Sequence, residues 1–187
     1  MKSYIVKESI NIPYFDHDHK SLMNTIKSSS SRRNMGRMQF AFRKVRNILL
    51  SHWAYICPLN GLRVKMHRMR GVTIGDNVYI GQYCKLDNAY PEYVYIEDNV
   101  SIVSGVSIVA HTNPYPHFKN VVESSVSPVV IKEGAWIADG AIILRGVTIG
   151  KNAIVSAGTI VEKDVPDCSL AKGNPMKIVA DFSALID

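Results

Sequence analysis

Residues 131–166 read IKEGAWIADGAIILRGVTIGKNAIVSAGTIVEKDVP. Within this stretch Ile131, Ile137, Ile143, Ile149, Val155 and Val161 stand six residues apart. Four residues after each comes a small or aliphatic side chain: Ala135, Ala141, Val147, Ala153, Thr159 and Val165. The spacing also runs upstream in two other phases. Ile74, Ile80 and Leu86 form one, Ile96, Ile102 and Ile108 the other, with Val78, Cys84, Val100 and Val106 at the four-residue offset. A helix repeats every 3.6 residues and a strand every two, so neither sustains a period of six. A coil of three flat six-residue faces does. Each aliphatic then points inward at the same place on its face, and successive coils stack it on its counterpart. Gly75, Gly81 and Gly150 follow an inward residue directly, and Asn77, Asn99 and Asn152 fall where corners belong. Both residue types tolerate strained corner angles. Residues 72–187 are thus expected to be mainly β, a parallel β-helix of hexapeptide repeats.

The breaks in phase locate departures from the coil. Leu86 and Ile96 are ten residues apart, which places a short excursion near residues 89–93. Ile108 and Ile131 are twenty-three apart, five beyond three hexads, so a loop leaves near residues 112–128. His111, Asn113, Pro114, Pro116 and His117 lie at its start. Long excursions from a rigid solenoid are where function concentrates.

Residues 1–71 differ in kind. They carry fourteen Lys or Arg against three acids, whereas residues 72–187 carry eight against thirteen. A basic third on an acidic body suits phosphate, anionic lipid or an acidic partner, or else a solvated face. Residues 1–33, with the run Asp16-His17-Asp18-His19 and the serines Ser28 to Ser31, offer no periodic apolar face and read as a weakly ordered arm. From about Asn34 a helical stripe begins: Met38, Phe42, Val45, Leu49, Trp53 and Ile56, widened by Phe40, Leu50 and Tyr55 and interspersed with Arg37, Arg43, Lys44 and Arg46. Pro58 and Gly61 end it. A second helix over 62–70 carries Arg63, Lys65, Arg68 and Arg70 on a basic edge. Either this hairpin packs its stripe on the body or it lies in a membrane interface.

The full chain of 187 residues is 47% apolar and 20% charged, which excludes wholesale disorder. No apolar run approaches the ~20 residues that span a bilayer. The N-terminus lacks a signal-like apolar stretch. Three scattered cysteines make neither a disulfide framework nor a thiolate metal site, and Cys84, at an inward position, reads as core. The expected location is cytoplasmic, with peripheral contact at the inner membrane surface through the basic helices as a further possibility.

The motifs IGDNVYIG, VSIVAHTNP, the stretch quoted at the outset and the closing AKGNPMKIV resemble the hexapeptide-repeat acyltransferases. The resemblance is to the maltose and galactoside O-acetyltransferase branch and its polysaccharide relatives. It spans about residues 72–179 and implies a left-handed β-helix, a homotrimer with sites between subunits, and acetyl-CoA as cosubstrate, with no metal required. The chemistry needs a base for the acceptor hydroxyl, for which a neutral imidazole is suited near pH 7. It also needs an N–H for the developing oxyanion. The position that is catalytic in the galactoside enzymes matches Asn113 here, so the candidate bases are His111 and His117. The resemblance further places Trp136, Asp139, Ala157, Glu162 and Lys163 along the coenzyme, with Lys172 and Lys177 near its phosphates. Asp87, Asn88 and Tyr90, at the first excursion, are candidate acceptor contacts. The expected activity is O-acetylation of a sugar hydroxyl in surface-polysaccharide synthesis, on a free or lipid-linked acceptor. The alternatives are N-acylation of a nucleotide sugar or other amine, and an inactive trimeric scaffold. A zinc site of the γ-carbonic-anhydrase kind needs three His ligands, which the loop lacks.

Overall fold

The computed structural model describes residues 5–15, 27 and 33–185, and in it the six-residue spacing becomes strand pairing. On the first face Ile74, Ile96, Ile131 and Ile149 stack in register in parallel strands. On the second, Ile80, Ile102, Ile137, Val155 and Ala171 do the same. Leu86, Ile108, Ile143 and Val161 form the third. All of these side chains are buried, as are the residues at the four-residue offset. The neighbour preceding each points outward, because successive strand residues face opposite ways.

The phase shifts prove to be corner insertions. Ile108 and Ile131 occupy adjacent faces, so the twenty-three residues between them hold one hexad and seventeen more, not three hexads and five. Asn77, Asn99 and Asn152 take positive φ of 52°, 59° and 52° at corners, as expected of them. The glycines after the inward residues serve another purpose. A Cβ on Gly150 would lie 2.4 Å from the Asp167 backbone nitrogen, and on Gly81 2.5 Å from that of Ser104. Glycine is needed there because the next rung passes too close for any side chain.

Two helices precede the coil, α1 (Arg37–Ile56) and α2 (Asn60–Arg70). The first coil has no rung beneath it, so its downward carbonyls need donors. Helix α2 supplies one arginine per face. Arg68 Nε donates to Ile74 O (3.2 Å), Arg63 Nε to Ile80 O (2.6 Å) and an Arg70 terminal nitrogen to Leu86 O (2.9 Å). Asn60 adds Oδ1 as acceptor for Ile80 N. This closes an edge that would otherwise be open to further pairing. In the body, Asp98, Asp164 and Asp167 accept corner N–H groups at 2.7–2.8 Å. The lopsided charge is therefore partly structural, with guanidinium groups on carbonyls at one end and carboxylates on amides along the coil.

Helix α1 departs from one expectation. It packs through Phe40, Asn47 and Ala54, and the stripe Met38, Phe42, Val45, Leu49, Trp53 and Ile56 faces away from the body. Of these, Asn47 and Ala54 are small enough for close approach, and Arg43 pairs with Glu92 at 2.8 Å. The arm departs from another. Residues 10–15 are laid against the long loop, and Lys7 N donates to the Tyr95 hydroxyl. Ile10–Asn11 pairs with Ser125–Val126, Ile12 is buried, and the Tyr14 hydroxyl lies 3.1 Å from Val122 O. Strand pairing needs no periodic apolar face, which is why apolar spacing did not reveal it. The acidic-histidine run and the serine tract lie outside the described residues. Among the described residues no helix is long and apolar enough to cross a membrane.

Stacking of inward residues makes a stability prediction. Leu86→Ala lowers the unfolding free energy by about 2–5 kcal/mol, from lost transfer and cavity formation. Lys85→Ala, one residue away on the outer surface, changes it by less than about 0.5 kcal/mol. Urea titration of both variants checks this.

Candidate active site

Register brings the functional side chains together. Because Leu86 stacks on Ile108, the residues after each of them meet at one corner. There His111 Nδ1 lies 2.6 Å from Asp87 Oδ2. A carboxylate only accepts, so Nδ1 carries the proton and Nε2 is left as an acceptor. The Asp87 side chain is 1% exposed and that of His111 29%. Asp87 Oδ1 accepts from the N–H groups of Ala89 and Tyr90, and Oδ2 from that of Ala110, each at 2.8 Å.

Burial alone would raise the Asp87 pKa. The hydrogen bond and charge of His111, with the N–H groups of Tyr90 and Ala110, outweigh it and hold the carboxyl below its ordinary 3.8. Behind it, Arg70 donates to Asp87 O (2.9 Å) and to Asn88 Oδ1 (2.6 Å). Burial lowers Arg70 to about 10, against the opposing charge of Asp87. Arg70 also donates to His67 Nδ1 at 2.9 Å, and burial with the charges of Arg70 and Arg63 drives His67 down to about 3, so it is neutral. The Tyr90 ring centre lies 5.4 Å from that of His111 and 4.6 Å from the Arg33 guanidinium.

In front of His111 opens a cleft of about 370 Å³, lined by Val109, His111, Thr112, Leu144, Arg145 and Glu162. Val109, Leu144 and Glu162 occupy the same register position on successive rungs, since Ile108, Ile143 and Val161 stack. Arg145 Nε donates to Thr112 Oγ1 at 2.8 Å and ties the loop's first strand to the next rung. Residues His111–Thr112 pair with Ser125–Val126 and, through them, with the N-terminal segment.

The expected residues divide. His111 and Glu162 line the cleft, with Lys163 beside it. Asp87 does not face an acceptor: both its oxygens are occupied and it lies beneath His111. Asn88 is exposed next to it, and Tyr90 is buried against the imidazole. Asn113 Oδ1 accepts from the Ser124 hydroxyl at 3.3 Å. His117 is exposed, on the turn Pro116–Phe118, stacked on Tyr115 at 6.0 Å between ring centres. Trp136 projects from the second face, 48% exposed. Asp139 and Ala157 share the corner after it, where Gly158 N donates to Asp139 O. Lys172 and Lys177 pair across the C-terminal hairpin, whose Gly173 N donates to Thr159 Oγ1 at that corner. The third face separates this group from His111. Cys84 is buried and its thiol pushed up to about 11 by burial, so it offers no thiolate nucleophile. Among the described residues no group of three or more His, Cys, Asp or Glu stands close enough to hold a metal.

Known proteins agree with the fold. The family pattern described as bacterial transferase hexapeptide (six repeats) matches residues 128–163. The Bacillus subtilis protein named "Putative acetyltransferase YvoF" is 30% identical over 136 residues, covering 72% of this chain and 76% of that protein. The chain belongs to the hexapeptide-repeat acetyltransferase family. Another family member, the galactoside O-acetyltransferase of Escherichia coli, is 32% identical over 114 residues, covering 58% of this chain and 56% of that enzyme. Several of the relatives it matches are likewise spanned over little more than half their length. The solved maltose O-acetyltransferase from Clostridium difficile has a TM-score of 0.57 and 25% identity, covering 75% of this chain and 84% of that one. The coil is thus the family's left-handed β-helix.

Two residues of this site went unmarked as such in the sequence, Asp87 as the partner of His111 and Arg145. The alignment of residue 86 with 108 and of 108 with 143 was the signal that could have found both.

The depressed Asp87 pKa sets a pH dependence. The stability it contributes is complete above its unfolded value near 3.8 and is lost as pH falls through the lower folded value. Asp87→Asn should be less stable than wild type at pH 7 and lose less on acidification. Urea unfolding at pH 7 and pH 3 reads both differences.

Proposed function

We propose that the chain is an acetyl-CoA-dependent O-acetyltransferase of a sugar hydroxyl, with His111 as general base. The observation that carries this reading is the His111–Asp87 contact of 2.6 Å at the mouth of the cleft. The hydroxyl approaches Nε2, which takes its proton as the oxygen attacks the thioester carbonyl. Asp87 is a positioning residue: it keeps Nδ1 protonated and stabilises the imidazolium that forms. The tetrahedral intermediate collapses, the C–S bond breaks, and the imidazolium returns the proton to the departing sulfur. The products are the acetyl ester and free coenzyme thiol. No covalent enzyme intermediate is needed, in keeping with the buried, high-pKa Cys84.

Asn88, exposed beside the dyad, and the ring of Tyr90 would meet the acceptor, a free or lipid-linked glycan of surface-polysaccharide synthesis. Asn113 shapes the loop through Ser124 and His117 stands aside from the base. Asp139, Ala157, Lys172 and Lys177 would hold the coenzyme with Trp136, while Glu162 and Lys163 border the acetyl end. The third face divides the first group from His111, so a complete site would draw its coenzyme wall from one copy and its base from the next, in a homotrimer. Lys172 and Lys177 suit mobile phosphates as point charges.

Thiol release from acetyl-CoA with glycan acceptors tests the assignment. His111→Ala should lose about 10²–10⁴-fold in kcat/KM, and His117→Ala should stay within about threefold of wild type, as a surface change does. Undiminished release in His111→Ala would remove His111 as base.

A further inference from the structure

The outward stripe of α1 has no role in the fold or in the chemistry. Its side chains Met38, Phe42, Val45, Leu49, Trp53 and Ile56 lie on the side opposite Phe40, Asn47 and Ala54, and Phe42 and Trp53 are 72% and 60% exposed. The helix has 20 residues, so the stripe runs for about 30 Å. At 3.6 residues per turn, half-buried Arg46 adjoins the stripe, while Arg37 and Lys44 lie further round, toward the body. Arg37 and Lys44 are exposed. No acid occurs anywhere between Asp18 and Asp76.

We infer that this face docks on the surface of an anionic lipid bilayer. An apolar strip on a helix that carries cations and no acid suits the plane of a membrane interface, with its side chains among the acyl chains and the exposed Arg37 and Lys44 facing the anionic surface. Cations near such a surface each add to the attraction, and salt screens it. A second copy paired stripe to stripe, which is not the way a cyclic trimer joins its copies, fits this face poorly. Pairing two stripes would bring arginine and lysine flanks together with no carboxylate on either helix to offset them. The inner side of the helix also reaches the proposed active site. Arg33 lies over both Phe40 and Tyr90, at 5.3 and 4.6 Å, and Tyr90 packs on His111. A docked chain would hold its cleft beside the bilayer, within reach of a lipid-linked acceptor. That last consequence rests on the acetyl-transfer reading, whereas docking itself does not.

The test is co-sedimentation of the full chain with phosphatidylglycerol-containing vesicles and with pure phosphatidylcholine vesicles, at low and high salt. Wild type should bind the anionic vesicles at low salt and at least tenfold more weakly at high salt or on phosphatidylcholine. Phe42→Ser/Leu49→Ser/Trp53→Ser should lose binding at least tenfold. Arg37→Glu/Lys44→Glu, which alters only exposed positions, should weaken it in the anionic case alone. In a Trp136→Phe background, Trp53 emission should shift to the blue on vesicle addition. Three results would overturn the inference. These are no sedimentation at low salt, equal sedimentation of the triple serine variant, or a wild-type assembly in solution that this variant reduces, which would make a second copy the occupant. Thiol release on a soluble acceptor, measured without vesicles, should be unchanged in the triple variant. A failure of the chemistry is thereby told apart from a failure of docking.

Discussion

Stacking of one aliphatic side chain on the same side chain a rung below governs the molecule. Each face is a buried column of Ile, Leu or Val at fixed register, with Ala171 ending the second. A strand of two residues has almost no stability of its own. It persists because its single inward side chain completes a column and its backbone groups pair with the rungs on either side. A one-residue slip would turn the column to solvent and bring in its polar neighbour. That penalty forces insertions to the corners, where seventeen extra residues leave the columns on either side undisturbed.

A stack must also end. At the first coil the exposed carbonyls are met by the guanidinium groups of Arg63, Arg68 and Arg70, which bring many donors on a short helix. Closure and the candidate site are joined at Arg70. The side chain that satisfies Leu86 O also holds Asp87 O and Asn88, and so fixes the corner from which the Asp87 carboxylate rises to His111. Burial of this arginine is tolerable because its two terminal nitrogens are met by carbonyl, amide and imidazole acceptors and a carboxylate lies close by, although its Nε has no partner among the described residues.

The site follows from the same geometry. The long loop begins one rung above the short excursion, so the imidazole at the loop's first strand and the carboxylate at the excursion's first residue fall within hydrogen-bond distance. Four donors around Asp87 make its charge inexpensive to keep in a buried place. The N-terminal strand along Ser125–Val126 then holds the loop against the body. Helix α1, by contrast, keeps Phe40 inside but turns most of its large apolar residues outward, a choice that packing within one chain does not explain.

What was legible in the amino-acid order was periodic. Period six gave the coil, its three phases, the corner asparagines, the two excursions and, through the family resemblance, His111 as a candidate base. These signals are local or repeating, and a rigid repeat carries local spacing into space without distortion. What only the tertiary structure decided was pairing across rungs and at ends. It revealed Asp87 as the partner of an imidazole, the arginines as an end closure, the N-terminal segment as a strand, and the α1 stripe as an outer face. Those facts depend on which residues meet after insertions of four and seventeen residues. Spacing along the chain does not encode which side of a helix faces the body, because that depends on contacts with residues distant in sequence, such as Arg43 with Glu92.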